Sequence, residues 1–141
     1  MSVTIPKSHQ DLLDNPVCVT LSTLMADGQP QSTQVWCTYD GTYINVNTAR
    51  GRQKEQNMSA RPQVTLMAVD PKNPYRWLEV RGKVEQINEE GALDHINQLA
   101  KSYANKLSYY GGVAPAELQQ KEVRVICKIK PVKVNPFQMG G

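Results

Sequence analysis

The chain has 141 residues, 40% of them hydrophobic and 21% charged, with 16 Lys and Arg against 13 Asp and Glu. This length gives one domain over residues 1–141 with room for a sizeable core, and the apolar fraction excludes a disordered chain. No run approaches the ~18 consecutive apolar residues of a membrane-spanning helix, and the opening MSVTIPKSHQ has no signal-peptide pattern, so a cytoplasmic location is expected.

Pro6, Ser8 and Asp11 read as a helix start, with Ser8 as N-cap and Asp11 completing a capping-box variant; the helix ends before Pro16. Val17 to Leu24 alternates and is rich in β-branched residues, a strand pattern. Ala26-Asp27-Gly28 is a turn, Gln31 to Tyr39 a second strand, Asp40-Gly41 a hairpin signal, and Thr42 to Asn47 a third strand. Beyond Gly51 the sequence is polar and helix-permitting until Pro62. Gln63 to Val69 is a fourth strand, Asp70 to Tyr75 a double-proline loop, and Arg76 to Ile87 a long fifth strand. Its Leu78, Val80, Gly82 and Val84 share one face, and Gly82 suggests a bulge or a close backbone approach. Ala92, Leu93, Ile96, Leu99, Ala100, Tyr103 and Leu107 mark an amphipathic helix on which His95 is expected to be exposed. After a Tyr109 to Gly112 loop, Val123 to Val134 is the last strand, and Gly140-Gly141 is a frayed end. Six strands in hairpin succession with two or three helices argue for an antiparallel barrel or sandwich.

Cys18, Cys37 and Cys127 are too scattered for a disulfide framework, and with only His9 and His95 besides there is no metal-ligand cluster. Between Ala49 and Arg61, Arg50, Arg52, Lys54 and Arg61 stand against Glu55, a local net charge of +3 equal to that of the entire chain. The segment begins a helix, whose free N–H groups and positive end favour an anion. Spacing alone favours a solvated basic helix face. Nucleic-acid binding expects basic residues interleaved with stacking aromatics, and Ala49 to Arg61 contains no aromatic.

Val46-Asn-Thr-Ala-Arg-Gly-Arg-Gln-Lys-Glu-Gln-Asn-Met58, with Pro62 and the apolar strand behind it, resembles the phosphate-binding segment of the pyridoxamine-phosphate-oxidase-like split-barrel proteins. The Arg52, Lys54 and Asn57 arrangement is similar to that of the flavin/deazaflavin oxidoreductases that use coenzyme F420. The resemblance extends to Ala26-Asp-Gly-Gln-Pro30 and Trp77-Leu-Glu-Val-Arg-Gly-Lys-Val84. It implies a mainly β, six-stranded antiparallel split barrel that forms a homodimer with cofactor sites at the interface. Carried over, Arg52 and Lys54 hold the cofactor phosphate, with Gln53 between them. Asn47, Thr48 and Ala49 line it, and Gln34, Val35 and Trp36 run beside the ring. FMN-using relatives more often show Ser-Arg-Lys in direct succession, so the Gln53 spacer points to F420, with FMN as the alternative. Trp77 covers the ring or packs at the barrel end or dimer interface.

The implied reaction is hydride transfer between F420 and a small organic acceptor with an activated double bond. No nucleophile or proton donor is evident, in keeping with chemistry carried by a cofactor. The roles of Arg81, Tyr109 and Tyr110 stay open, as does a flavin-carrier function with FMN.

Overall fold

The computed structural model describes residues 3–140. Its strands are β1 (Val19–Leu24), β2 (Pro30–Val35), β3 (Cys37–Tyr39), β4 (Ile44–Ala49), β5 (Gln63–Asp70), β6 (Asn73–Asn88) and β7 (Arg124–Gln138). The helices are α1 (Asp11–Asp14), α2 (Gln53–Ala60) and α3 (Ala92–Ala104), with one 3-10 turn at Ala116–Gln120. All strand pairings are antiparallel, in the order β2-β1-β5-β6-β7-β4-β3, and the sheet curls into a split barrel.

Period-two alternation builds the interior. Val19 and Leu21 of β1, Leu66 and Ala68 of β5, Leu78 and Val80 of β6, and Val125, Cys127 and Ile129 of β7 are all buried in one core. Gly82 lies in that face where the β6–β7 register shifts. A Cβ there would stand 2.6 Å from Ile129 Cγ2 and 2.9 Å from the Lys130 carbonyl oxygen, so the absence of a side chain is what lets β7 cross so closely.

The count is seven strands rather than six because the segment Gln31 to Tyr39 breaks at Trp36. Val35 pairs with Val19 at one edge of the sheet, whereas Cys37 pairs with Val46 at the other. The bend needs a substitute hydrogen-bond partner, and Tyr103 of α3 supplies it. Its hydroxyl accepts from the Cys37 N–H at 3.2 Å and donates to the Val17 carbonyl at 3.0 Å. Tyr103→Phe is expected to destabilise the fold by about 1 kcal/mol, the worth of a partly buried hydrogen bond, measurable by urea unfolding.

Three further expectations are corrected. The first helix is only Asp11–Asp14, with Gln10 at the N-cap and no side-chain cap; Ser8 Oγ instead donates to His9 Nδ1, leaving His9 Nε2–H for the Phe137 carbonyl at 2.9 Å. The double-proline segment is a tight turn, since β6 already starts at Asn73. Leu107 lies beyond the end of α3, where Asn105 adopts a left-handed φ of 55°, and its side chain is in solvent. Gly141 falls outside the described residues. The thiols of Cys37 and Cys127 are buried and free, and burial pushes both up to about 12.

Candidate functional site

The chain leaves β4 at Ala49 and reverses through Gly51, whose φ of 89° is a left-handed conformation that suits only glycine well. Glu55 braces this turn: Oε1 accepts the Gly51 N–H at 2.9 Å and Oε2 accepts Ser59 Oγ–H at 2.6 Å. Arg52 is thereby the extended N-cap of α2 and Lys54 lies in its first turn.

The basic segment then divides by role. Arg50 pairs with Glu55 and Glu89. Arg61 donates to the Leu24 carbonyl and to Asn57 Oδ1, and Asn57 itself is fully buried, donating to Thr23. These are braces. Arg52 and Lys54 turn instead into a cavity of ≈ 190 Å³, shared with Gln34, Val35 and Trp36 of the β2–β3 bend and with Asn47 of β4. Six sequence-derived candidates therefore meet in one place. Thr48 and Ala49 are buried in β4 beside it, and the Thr48 hydroxyl has no hydrogen-bond partner. Gln53 turns its amide to Asn57. Trp77 lies away from this cavity, stacked on Phe137 with centroids 4.8 Å apart, and Arg81 is paired with Glu79.

The cavity also holds residues that sequence reasoning did not select: Arg124 at the start of β7, Tyr109, Ile96, Leu99 and Val113. Arg124 arrives because its residue pairs with Ala49 across the β4–β7 ladder. Its side chain is only 5% exposed; Nε donates to Asn47 Oδ1 at 2.9 Å, its guanidinium lies over the Tyr109 ring at 4.9 Å, and Nη1 has no hydrogen-bond partner. The Trp36 ring stacks on Tyr103 at 5.3 Å and meets the edge of Tyr109 at 6.4 Å.

Behind Asn47 runs a polar chain whose direction is fixed by chemistry. A guanidinium can only donate, so Asn47 presents Oδ1 to Arg124 and its Nδ2 donates to the Ala92 carbonyl and to His95 Nδ1. His95 therefore carries its proton on Nε2 and donates to Thr38 Oγ1 at 3.0 Å. The exposed histidine expected from the helix pattern is thus buried. Burial, then Lys128 and Arg124, lower its pKa to about 4.

Its buried Arg124 and half-buried Lys54 set this cavity apart from a larger groove of ≈ 680 Å³, which is lined by Leu24, Val64, Gly82 and Val132 and whose two cations, Arg81 and Lys83, are exposed. In the smaller one, Lys54 makes no ion pair among the described residues, and burial followed by the fields of Arg52 and Arg124 lowers its pKa. An incoming anion would offset both effects by favouring the charged ammonium.

The family model described as pyridoxamine 5'-phosphate oxidase matches residues 5–137. Among solved structures, one entitled F420 reductase is 33% identical, with a TM-score of 0.80, over 93% of this chain and 98% of that one. A conserved hypothetical protein from Mycobacterium tuberculosis is 22% identical with a TM-score of 0.71, over 99% of this chain and 94% of that one. The haem storage protein HutZ of Vibrio cholerae shares the fold at 15% identity and a TM-score of 0.67, over 92% of this chain and 93% of that one. No match to a curated protein is found. A family match running from the first helix through β7, on a split barrel of this strand order, makes the chain a member of the pyridoxamine 5'-phosphate oxidase-like family.

Proposed function

We propose that the chain is an oxidoreductase that binds coenzyme F420 in the Arg52–Lys54 cavity and exchanges hydride with a small organic acceptor. The observation that carries this reading is Lys54, a cation with no ion pair among the described residues, set beside Arg52 and Arg124 in one cavity against the aromatic ring of Trp36. A phosphorylated, planar, ring-bearing cofactor supplies what both ends lack. The F420 reductase neighbour supports the deazaflavin over FMN, as does Gln53 separating Arg52 from Lys54.

The bound deazaflavin would supply the two-electron chemistry. The chain's own residues do the rest. Arg52 and Lys54 hold the phosphate at the start of α2, aided by Asn47 and the adjoining Thr48 and Ala49 of β4. Gln34, Val35 and Trp36 flank the ring, while Ile96, Leu99 and Val113 keep water from it. One chain's cavity, ≈ 190 Å³, is below the roughly 300 Å³ at which ligand pockets begin. We therefore take the functional unit to be a homodimer in which a second copy closes each site, and in which Trp77 serves the neighbouring site or the interface.

Histidine ligation of a haem finds less support. An axial histidine needs a free ring nitrogen, and both nitrogens of His9 and of His95 are hydrogen-bonded within the chain.

Titration of the purified protein with F420 and with FMN, followed by absorbance and fluorescence, tests the assignment. F420 is expected to bind more tightly. Tighter FMN binding would transfer the protein to the flavin-using members, and binding of neither would remove the cofactor reading.

A further inference from the structure

Glu122 stands two residues before Arg124, in the short link between the 3-10 turn and β7. Its Oε2 accepts from Arg52 Nη2 at 2.9 Å and its Oε1 accepts from the Tyr110 hydroxyl at 2.7 Å. Oε1 also stands 3.5 Å from Arg124 Nη1. Burial opposes its charge, but Tyr110 and Arg52 outweigh that and hold the carboxyl below its usual range. An ionised carboxylate thus spans two guanidinium groups in the way an oxyanion ligand does.

The two sides of this contact differ in how they are held. Arg124 is locked by Asn47 at Nε and by the Tyr109 ring, with Nη1 buried and lacking a hydrogen bond. Glu122 lies in a non-sheet link and is 19% exposed, and Arg52 is 41% exposed. The carboxylate can therefore swing towards solvent while Arg124 stays. Lys54, in the same cavity as Arg52 and Arg124, adds a third cation to the two that the carboxylate contacts. A doubly charged phosphate balances that excess better than another carboxylate does.

We propose that Arg124 is a third anion-binding residue of the cavity and that Glu122 is an internal counter-anion, which the phosphate of an incoming ligand displaces. Glu122 then acts as a specificity residue. A neutral group gains nothing by displacing it, a carboxylate merely replaces it, and a phosphate adds charge. The choice of flavin ligands as probes rests on the proposed function above; the exchange itself does not.

The test measures Kd for FMN, F420 and riboflavin, and the thermal shift given by inorganic phosphate alone, in the unmodified protein and in Glu122→Gln, Arg124→Gln and Arg124→Lys. Glu122→Gln is expected to tighten FMN, F420 and phosphate binding about tenfold, the scale of one charged hydrogen bond, and to leave riboflavin unchanged. Arg124→Gln is expected to weaken the phosphorylated ligands by a similar factor, with Arg124→Lys intermediate. Weaker or unchanged phosphate binding in Glu122→Gln would overturn the exchange, because Glu122 would then merely orient Arg52; this result stands even if the Arg124 variants fail to fold. Phosphate responses as expected, with no affinity for either cofactor, would support the exchange site while removing the proposed function.

Discussion

Lys54→Ala is expected to weaken binding of a phosphorylated cofactor by about 1.5–3 kcal/mol, the range of a hydrogen bond to a charged group, while leaving the free protein no less stable. The two halves of this result come from the same geometry. Lys54 has no ion-pair partner among the described residues, and burial and its proximity to Arg52 and Arg124 disfavour its charge. Removing it relieves repulsion in the free protein and deletes an attraction in the complex. Arg52→Ala is expected to have the smaller effect on affinity, because Arg52 must first give up Glu122. Cofactor titration paired with urea unfolding checks both parts. A Lys54→Ala protein that loses stability but keeps its affinity would mean that the ammonium is structural.

Acidification from pH 7 to pH 4 is expected to cost the fold about 3 kcal/mol through His95, a shift from 6.5 to about 4 read at 1.36 kcal/mol per unit. The folded pKa lies below the unfolded one, so the native imidazole is neutral and the unfolded chain binds the extra proton. The contribution is complete above about pH 6.5 and is lost as pH falls towards 4. Protonating Nδ1 would set an N–H against the Asn47 amide N–H and loosen the residue that holds Arg124, so cofactor affinity should fall in the same window. The lowered carboxylates, such as Asp11, Asp40 and Glu55, add their own losses below about pH 5, as pH falls through their ordinary values. Urea midpoints between pH 7 and pH 5 therefore report His95, and His95→Gln should flatten the slope there. A slope unchanged by that substitution would assign it elsewhere.

The barrel was legible because its strands are half-buried and alternate, so β5, β6 and β7 declare their inner faces residue by residue. The stretch from Asn47 to Lys54 was legible for a related reason: a strand end, a glycine turn and a helix start are contiguous, so local chemistry decides what they present. Trp36 offered no such signal. No glycine or proline marks the break there; what holds it is a tyrosine hydroxyl bonded to Cys37 from 66 residues away in sequence. Arg124 was hidden in the same way. In sequence it alternates with Lys128 and Lys130 as one of a row of outward cations, and only the pairing of β7 with β4 sets it beside Asn47. His95 sits next to Ile96 at the margin of the apolar stripe of α3, where periodicity does not distinguish buried from exposed. The paired state of Arg50 and Arg61 likewise depends on Glu89 and on the Leu24 carbonyl, which are remote in the chain.

The break at Trp36 has a consequence for association. β2 and β3 are the two outermost strands of the sheet, yet they are joined through this single residue. An open sheet ordinarily offers two independent rows of unpaired backbone groups to any passing strand. Here both rows belong to one short bent ribbon, tied to α3 by the Tyr103 hydroxyl, which also holds the Val17 carbonyl before β1. A foreign strand that peeled back either edge would have to pull Trp36 out of its stack on Tyr103. The residue that walls the cavity thus also couples the two edges of the sheet, so that neither can be displaced without disturbing the other.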